Sequence, residues 1–296
     1  MDIADYLKGK KRVIDEALKQ VIPKETDFPQ SLHEAMRYAL FPGGKRIRPI
    51  LAIAAYEVIG GRGDGILPYA CALEFIHTYS LIHDDLPALD NDDYRRGKST
   101  THKVFGEAMA ILAGDALLTE AFRVMSTQGF GGEVDPRVAI EAIGEISRAA
   151  GSAGMIAGQV VDMESEGKKV ELPILEFIHT HKTGSLILVC VRAGGRLAGA
   201  TDAEMDALTR YGKAIGLAFQ IIDDILDVEG SGVSMGRPPG VDSARNKVTY
   251  PALLGLEESK RRFNELIGKA IEAMDLFGDR GEPLREIARY IGSRSS

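Results

Sequence analysis

Helical periodicity runs through almost every long segment of this chain, with apolar residues recurring three and four positions apart, whereas alternating strand patterns bounded by tight turns are hard to find. The chain is therefore expected to be all-α. The pattern predicts helices over 2–22, 30–41, 48–60, 66–85, 101–126, 136–163, 171–181, 184–198, 202–229, 248–256, 257–277 and 282–291. Several are rich in Ala and Gly, which suits close helix packing. Residues 41–49, FPGGKRIRP, read as a basic glycine turn opening a helix whose first turn accommodates Pro49. Gly129 to Pro136 reads as a linker and Glu164 to Lys169 as a charged bend, whereas Gly230 to Asn246, with Pro238 and Pro239, is long enough to be a lid over a site.

Composition narrows the class further. At 45% hydrophobic and 27% charged residues the chain has the balance of a soluble globular protein, and its net charge of -7 argues against nucleic acid as a partner. Cys71 and Cys190 stand far apart in apolar surroundings, so neither a disulfide framework nor a cysteine zinc site is expected, and a reducing cytoplasm fits. The N-terminus has no apolar run after its charges, and the most apolar stretch, Ser185 to Val191, is too short to span a bilayer.

Two acidic clusters interrupt this helical background. In LIHDDLPALDNDDYRRG, residues 81–97, Asp84, Asp85, Asp90, Asp92 and Asp93 crowd together just before Arg95 and Arg96. Carboxylates that close resist ionising together unless cations neutralise them, either a hard metal bound through oxygen or the following arginines. A solvated acidic loop is the competing reading. The second cluster, Asp223, Asp224 and Asp227, places three carboxylates on one side of a helix with Gln220 one turn earlier. Pairing with basic residues of a neighbouring helix would explain it equally well in isolation. Two such clusters at facing ends of a helical bundle could hold several Mg²⁺ ions, each taking one or two carboxylates and completing its shell with water and phosphate, which predicts a diphosphate ligand.

Cations suited to phosphate are spread along the chain: Lys45 and Arg48 in the glycine turn, Arg95 and Arg96, Lys182, and Arg237 and Lys247 in the lid. They suggest one diphosphate site with metal and one served by cations and helix-entrance N–H groups alone. His77, Ser80, Leu81 and Asp84 share a helical stripe, so His77 is either a core histidine or part of the site. His83-Asp84 admits a helical His-Asp phosphohydrolase, but the remaining histidines show no supporting pattern, and neither Asp cluster has the ligand alternation of a calcium-binding EF-hand. Mg²⁺ and cations that stabilise a departing diphosphate, beside an apolar cavity that shelters a carbocation, are the chemistry these residues favour.

GGKRIRP at 43–49, HTYSLIHDDLPALDNDDYRRG at 77–97, GMIAGQVVD at 154–162, HKTG at 181–184, FQIIDDILD at 219–227 and KVTYPALLG at 247–255 together resemble the short-chain trans-prenyltransferases, specifically the bacterial-type farnesyl diphosphate synthases. The resemblance implies one catalytic domain over 1–296, a single large helical bundle around a central cavity, usually a homodimer, that condenses dimethylallyl and then geranyl diphosphate with isopentenyl diphosphate. By resemblance, Asp84, Asp85 and Asp90 hold Mg²⁺ on the allylic diphosphate, and Asp223 with Asp224 and Asp227 holds a further Mg²⁺. Arg95, Lys182, Thr183, Gln220, Arg237 and Lys247 contact the allylic substrate or close the lid. Lys45, Arg48, His77 and Arg96 bind isopentenyl diphosphate. Relatives usually carry Lys where this chain has Arg237, and a polar or basic residue where it has Val241.

The growing chain is expected to run down the helix away from Asp84, so Tyr79 and Ser80 lie about 6–8 Å deeper. A bulky Tyr79 at that depth fits a floor that stops growth at fifteen carbons, and a plain core role is the alternative. A twenty-carbon geranylgeranyl diphosphate synthase is the second reading.

Overall fold

The computed structural model describes residues 1–127, 134–230 and 248–293. Helices dominate, as the periodicity predicts: α1 Ile3–Val21, α2 Gln30–Leu40, α3 Ile47–Ile59, α4 Leu67–Asp84, α5 Thr101–Phe105, α6 Glu107–Thr127, α7 Pro136–Ala150, α8 Met155–Ser165, α9 Leu172–Ile178, α10 Ser185–Leu197, α11 Asp202–Glu229, α12 Tyr250–Leu254, α13 Leu256–Glu272 and α14 Glu282–Gly292. The regular extended segments among the described residues are β1 Tyr94–Arg95 and β2 Lys98–Ser99, an antiparallel ribbon too short for a period-two pattern to reveal.

Two predicted helices are divided, and two predicted as separate are joined. Gly106, at φ 86°, separates α5 from α6 inside the predicted 101–126 helix, a backbone angle that glycine adopts without steric cost. The predicted 136–163 helix breaks between α7 and α8 at residues 151–154. Between α9 and α10, His179–Gly184 form a π-helix, so the chain stays helical from Leu172 to Leu197. That 26-residue run is long and apolar enough to cross a membrane by composition, although 44% of its most apolar 18-residue window is buried inside the protein and its middle carries His179, His181 and Lys182.

The residues group into two units, one comprising Met1–Tyr6, Leu51–Arg62 and Ile140–Ser296, the other Leu7–Ile50 and Gly63–Ala139. In the second unit α4 is apolar on all sides and buried from Leu67 to Tyr79, apart from the half-buried His77, as expected of a central helix. It packs on α6, whose Ala110, Ala113, Gly114, Leu117 and Ala121 form one buried stripe. Gly114 permits the approach, because a Cβ there would fall 2.2 Å from His83 Nε2. In the first unit the long helix α11 packs on α10 and α13. A capping box fixes its start, with Thr201 Oγ1 accepting from Glu204 N and Thr201 N donating to Glu204 Oε2, and Gly230 in the left-handed conformation ends it. Asp223, Asp224 and Asp227 therefore sit in the last two turns of a firmly bounded helix.

Candidate active site

The first acidic cluster forms where α4 ends. Asp84 is the last residue of α4 and Asp85 its cap, and the chain then folds back so that Asp90 N donates to the Asp84 carbonyl at 2.8 Å. Asp85 is buried, and its Oδ1 accepts from Arg95 Nε at 2.7 Å and Nη2 at 2.5 Å. Burial pushes the Asp85 carboxyl up and the Asp90 and Asp92 charges add to that, while Arg95 pulls the other way. The β1–β2 ribbon delivers Arg95, and Arg95 Nη2 also reaches Asp92 Oδ2 at 3.4 Å. Asp93 is instead exposed and pairs with Lys103 at 2.7 Å.

About 10 Å back along α4, by helical rise over seven residues, lies a second group, in which arginines gather around His77. Gly43 and Gly44, at φ 103° and 114°, turn the chain into α3, and Arg46 follows with φ 53°. His77 Nε2 lies 3.4 Å from Arg48 Nη1, and Arg96 Nη1 donates to the Gly43 carbonyl at 2.9 Å. Although His77 keeps some exposed surface, its pKa is held well below the ordinary value by burial of the ring and by the Arg48, Arg96, Arg95 and Arg46 charges. It is therefore neutral at physiological pH.

The first unit carries the remaining predicted residues. Thr183 Oγ1 donates to Gln220 Oε1 at 2.9 Å, joining the π-helix to α11, and Lys182 Nζ donates to Asp162 Oδ2 at 2.7 Å. Asp162 ends the GMIAGQVVD segment and had no predicted role of its own. Asp224 is buried, with Oδ2 3.0 Å from His179 Nε2 and accepting from Tyr250 N at 2.9 Å, and the His179 and Tyr250 rings stack at 5.5 Å. Asp227 is buried and Asp223 half-buried on the same helix. His83, whose neighbour Asp84 suggested a hydrolase, turns to α6, where Nε2 meets the Ile111 carbonyl at 3.2 Å.

Tyr79 is buried, its ring edge-on to His83 with 5.7 Å between centroids, while half-buried Ser80 donates to the His77 carbonyl at 2.9 Å. Arg237, Val241 and Lys247 lie outside the described residues.

The donors at both acidic clusters are carboxylate oxygens, the chemistry a hard divalent cation takes. Among the described residues, no three His, Cys, Asp or Glu side chains converge as a ready-made metal cage. A cation that keeps water and takes one or two carboxylates, as Mg²⁺ does, fits this arrangement.

The sequence matches the Polyprenyl synthetase family over residues 29–277, through both units. It is 47% identical to a dimethylallyltranstransferase from Fischerella ambigua, over 99% of this chain and 84% of that one. It is 48% identical to a farnesyl diphosphate synthase from Geobacillus stearothermophilus over 88% of each chain, and 46% identical to a chloroplastic geranylgeranyl pyrophosphate synthase 7 from Arabidopsis thaliana, over all of this chain and 85% of that one. Its fold matches the crystal structure of an FPP/GFPP synthase from Zymomonas mobilis with a TM-score of 0.88, at 37% identity and 98% coverage of both chains. With the family match spanning most of its length and its helical architecture shared with a solved relative, the chain belongs to the polyprenyl synthetase family of trans-prenyltransferases.

Proposed function

We propose that this prenyltransferase condenses isopentenyl diphosphate first with dimethylallyl diphosphate and then with geranyl diphosphate, giving (2E,6E)-farnesyl diphosphate. The observation that carries the reading is the contrast along α4: a carboxylate-rich end beside Arg95, and about 10 Å away a turn where Arg48, Arg96 and neutral His77 gather. The first suits a diphosphate accompanied by metal, and the second suits one bound by cations alone.

Asp84, Asp85 and Asp90 would hold Mg²⁺ on the allylic diphosphate, and Asp223 with Asp224 and Asp227 a further ion. Bound Mg²⁺ supplies positive charge that stabilises diphosphate as a leaving group. Arg95, oriented by Asp85, and Lys182, oriented by Asp162, would each add positive charge that stabilises a departing diphosphate. The allylic C–O bond breaks with its electron pair leaving on diphosphate. The isopentenyl double bond, its own diphosphate held by Lys45, Arg48, His77 and Arg96, then attacks the cation to form the new C–C bond. Loss of a proton to the released diphosphate restores the alkene.

Product length is the finer part of the proposal, because similar enzymes bear both farnesyl and geranylgeranyl names. Incubating the protein with Mg²⁺, dimethylallyl diphosphate and isopentenyl diphosphate and weighing the products by mass spectrometry tests both parts. A dominant fifteen-carbon diphosphate, abolished by excess EDTA and recovered with Mg²⁺, is expected. A twenty-carbon product would keep the reaction and reject the length, and absence of condensation would reject the reaction.

A further inference from the structure

Arg46 stands between two residues assigned to isopentenyl diphosphate, yet its side chain points into the protein. It is 3% exposed, and all three guanidinium nitrogens are engaged: Nε with Asp15 Oδ1 at 2.9 Å, Nη1 with Glu74 Oε1 at 2.6 Å and Nη2 with the Leu40 carbonyl at 2.8 Å. Glu74 is itself 2% exposed and lies on α4, three residues before His77. The Arg46 backbone is held at φ 53°, a left-handed conformation uncommon for a residue with a side chain, and its carbonyl accepts the first bond of α3, from Ile50 N at 3.0 Å. A buried guanidinium clamped by two carboxylates has the geometry to enforce such a backbone.

We propose that Arg46 is a positioning residue for the second diphosphate: its buried pair with Glu74 anchors the Gly43–Arg48 turn to α4. That anchor fixes Arg48 against His77 and sets the Gly43 carbonyl where it accepts from Arg96. Arg46 itself makes no contact with substrate. This inference rests on the proposed isopentenyl diphosphate site and adds to it a residue that controls the site from behind.

The expected signature is a split between the two substrates. In Arg46→Lys, which keeps the charge but not the three-way fork, the KM for isopentenyl diphosphate should rise tenfold or more, while the KM for dimethylallyl diphosphate stays within twofold. Because Arg46→Lys cannot reach all three buried acceptors at once and can fail to fold, the double variant Arg46→Gln/Glu74→Gln, which removes the charges of the Arg46–Glu74 pair, is measured beside it. It should show the same selective rise in a protein whose circular dichroism matches the parent's. A merely structural role would lower the active fraction and leave both KM values unchanged. Unchanged or equally raised KM values in a folded variant, with the parent turning over, overturn the role of Arg46. A parent that does not condense the two substrates overturns the site itself and this inference with it.

Discussion

Tyr79 is where a single side chain has the greatest consequence. Burial and the Asp84 charge push its hydroxyl up to about 12, so it stays a neutral, bulky phenol throughout the physiological range. If it closes the floor, Tyr79→Ala shifts the main product from fifteen to twenty or more carbons, at a stability cost of about 3–5 kcal/mol typical of truncating a buried aromatic. Unchanged product length, read by mass spectrometry, would leave Tyr79 as ordinary core. The carboxylates and cations that occur in runs were legible because repetition itself is improbable without a cation or anion to meet. Asp162, His179, Arg46 and Glu74 were not. Each acts through a partner 20 or more residues away in sequence, as Lys182 is from Asp162, and no spacing rule marks such a pair.

At the scale of elements, helix positions followed closely from apolar periodicity, and the errors fell at local interruptions: Gly106, residues 151–154 and the π-helix. The π-helix at His179–Gly184 preserves the apolar pattern on both sides, so the sequence reads as two helices meeting near Lys182. Its position depends on α8, where Gly158 lets Lys182 come close: a Cβ on Gly158 would lie 2.1 Å from Lys182 N. Gly158→Ala must therefore push the π-helix away. We expect destabilisation of about 1–3 kcal/mol, as for other overpacked sites, and a loss of kcat larger than the fall in folded protein. Thermal melting measured beside kcat checks this, and wild-type values for both would mean that the π-helix can shift without moving Lys182.

On the scale of the molecule, homodimerisation was expected from the resemblance alone. Ile156, Val160 and Met163 of α8, each 44–46% exposed, form an apolar stripe at helical spacing on which that expectation can be tested. Light scattering should give twice the 32.0 kDa chain mass, and Val160→Asp should shift the protein toward that chain mass. A parent that sediments as a monomer would reject the dimer, while a dimer indifferent to Val160→Asp would place its interface elsewhere. The two units interleave along the sequence: three of the four boundaries, Tyr6/Leu7, Ile50/Leu51 and Ala139/Ile140, fall within α1, α3 and α7, and the fourth, Arg62/Gly63, follows α3. That interleaving bears on synthesis. Everything the second unit contains has been translated once Ala139 emerges, whereas Met1–Tyr6 and Leu51–Arg62 must wait for partners encoded in the second half of the message. Vectorial folding can complete one unit on the ribosome, but the other closes only near release of the chain, and splitting the gene at any single codon would leave at least one of them without part of its own structure.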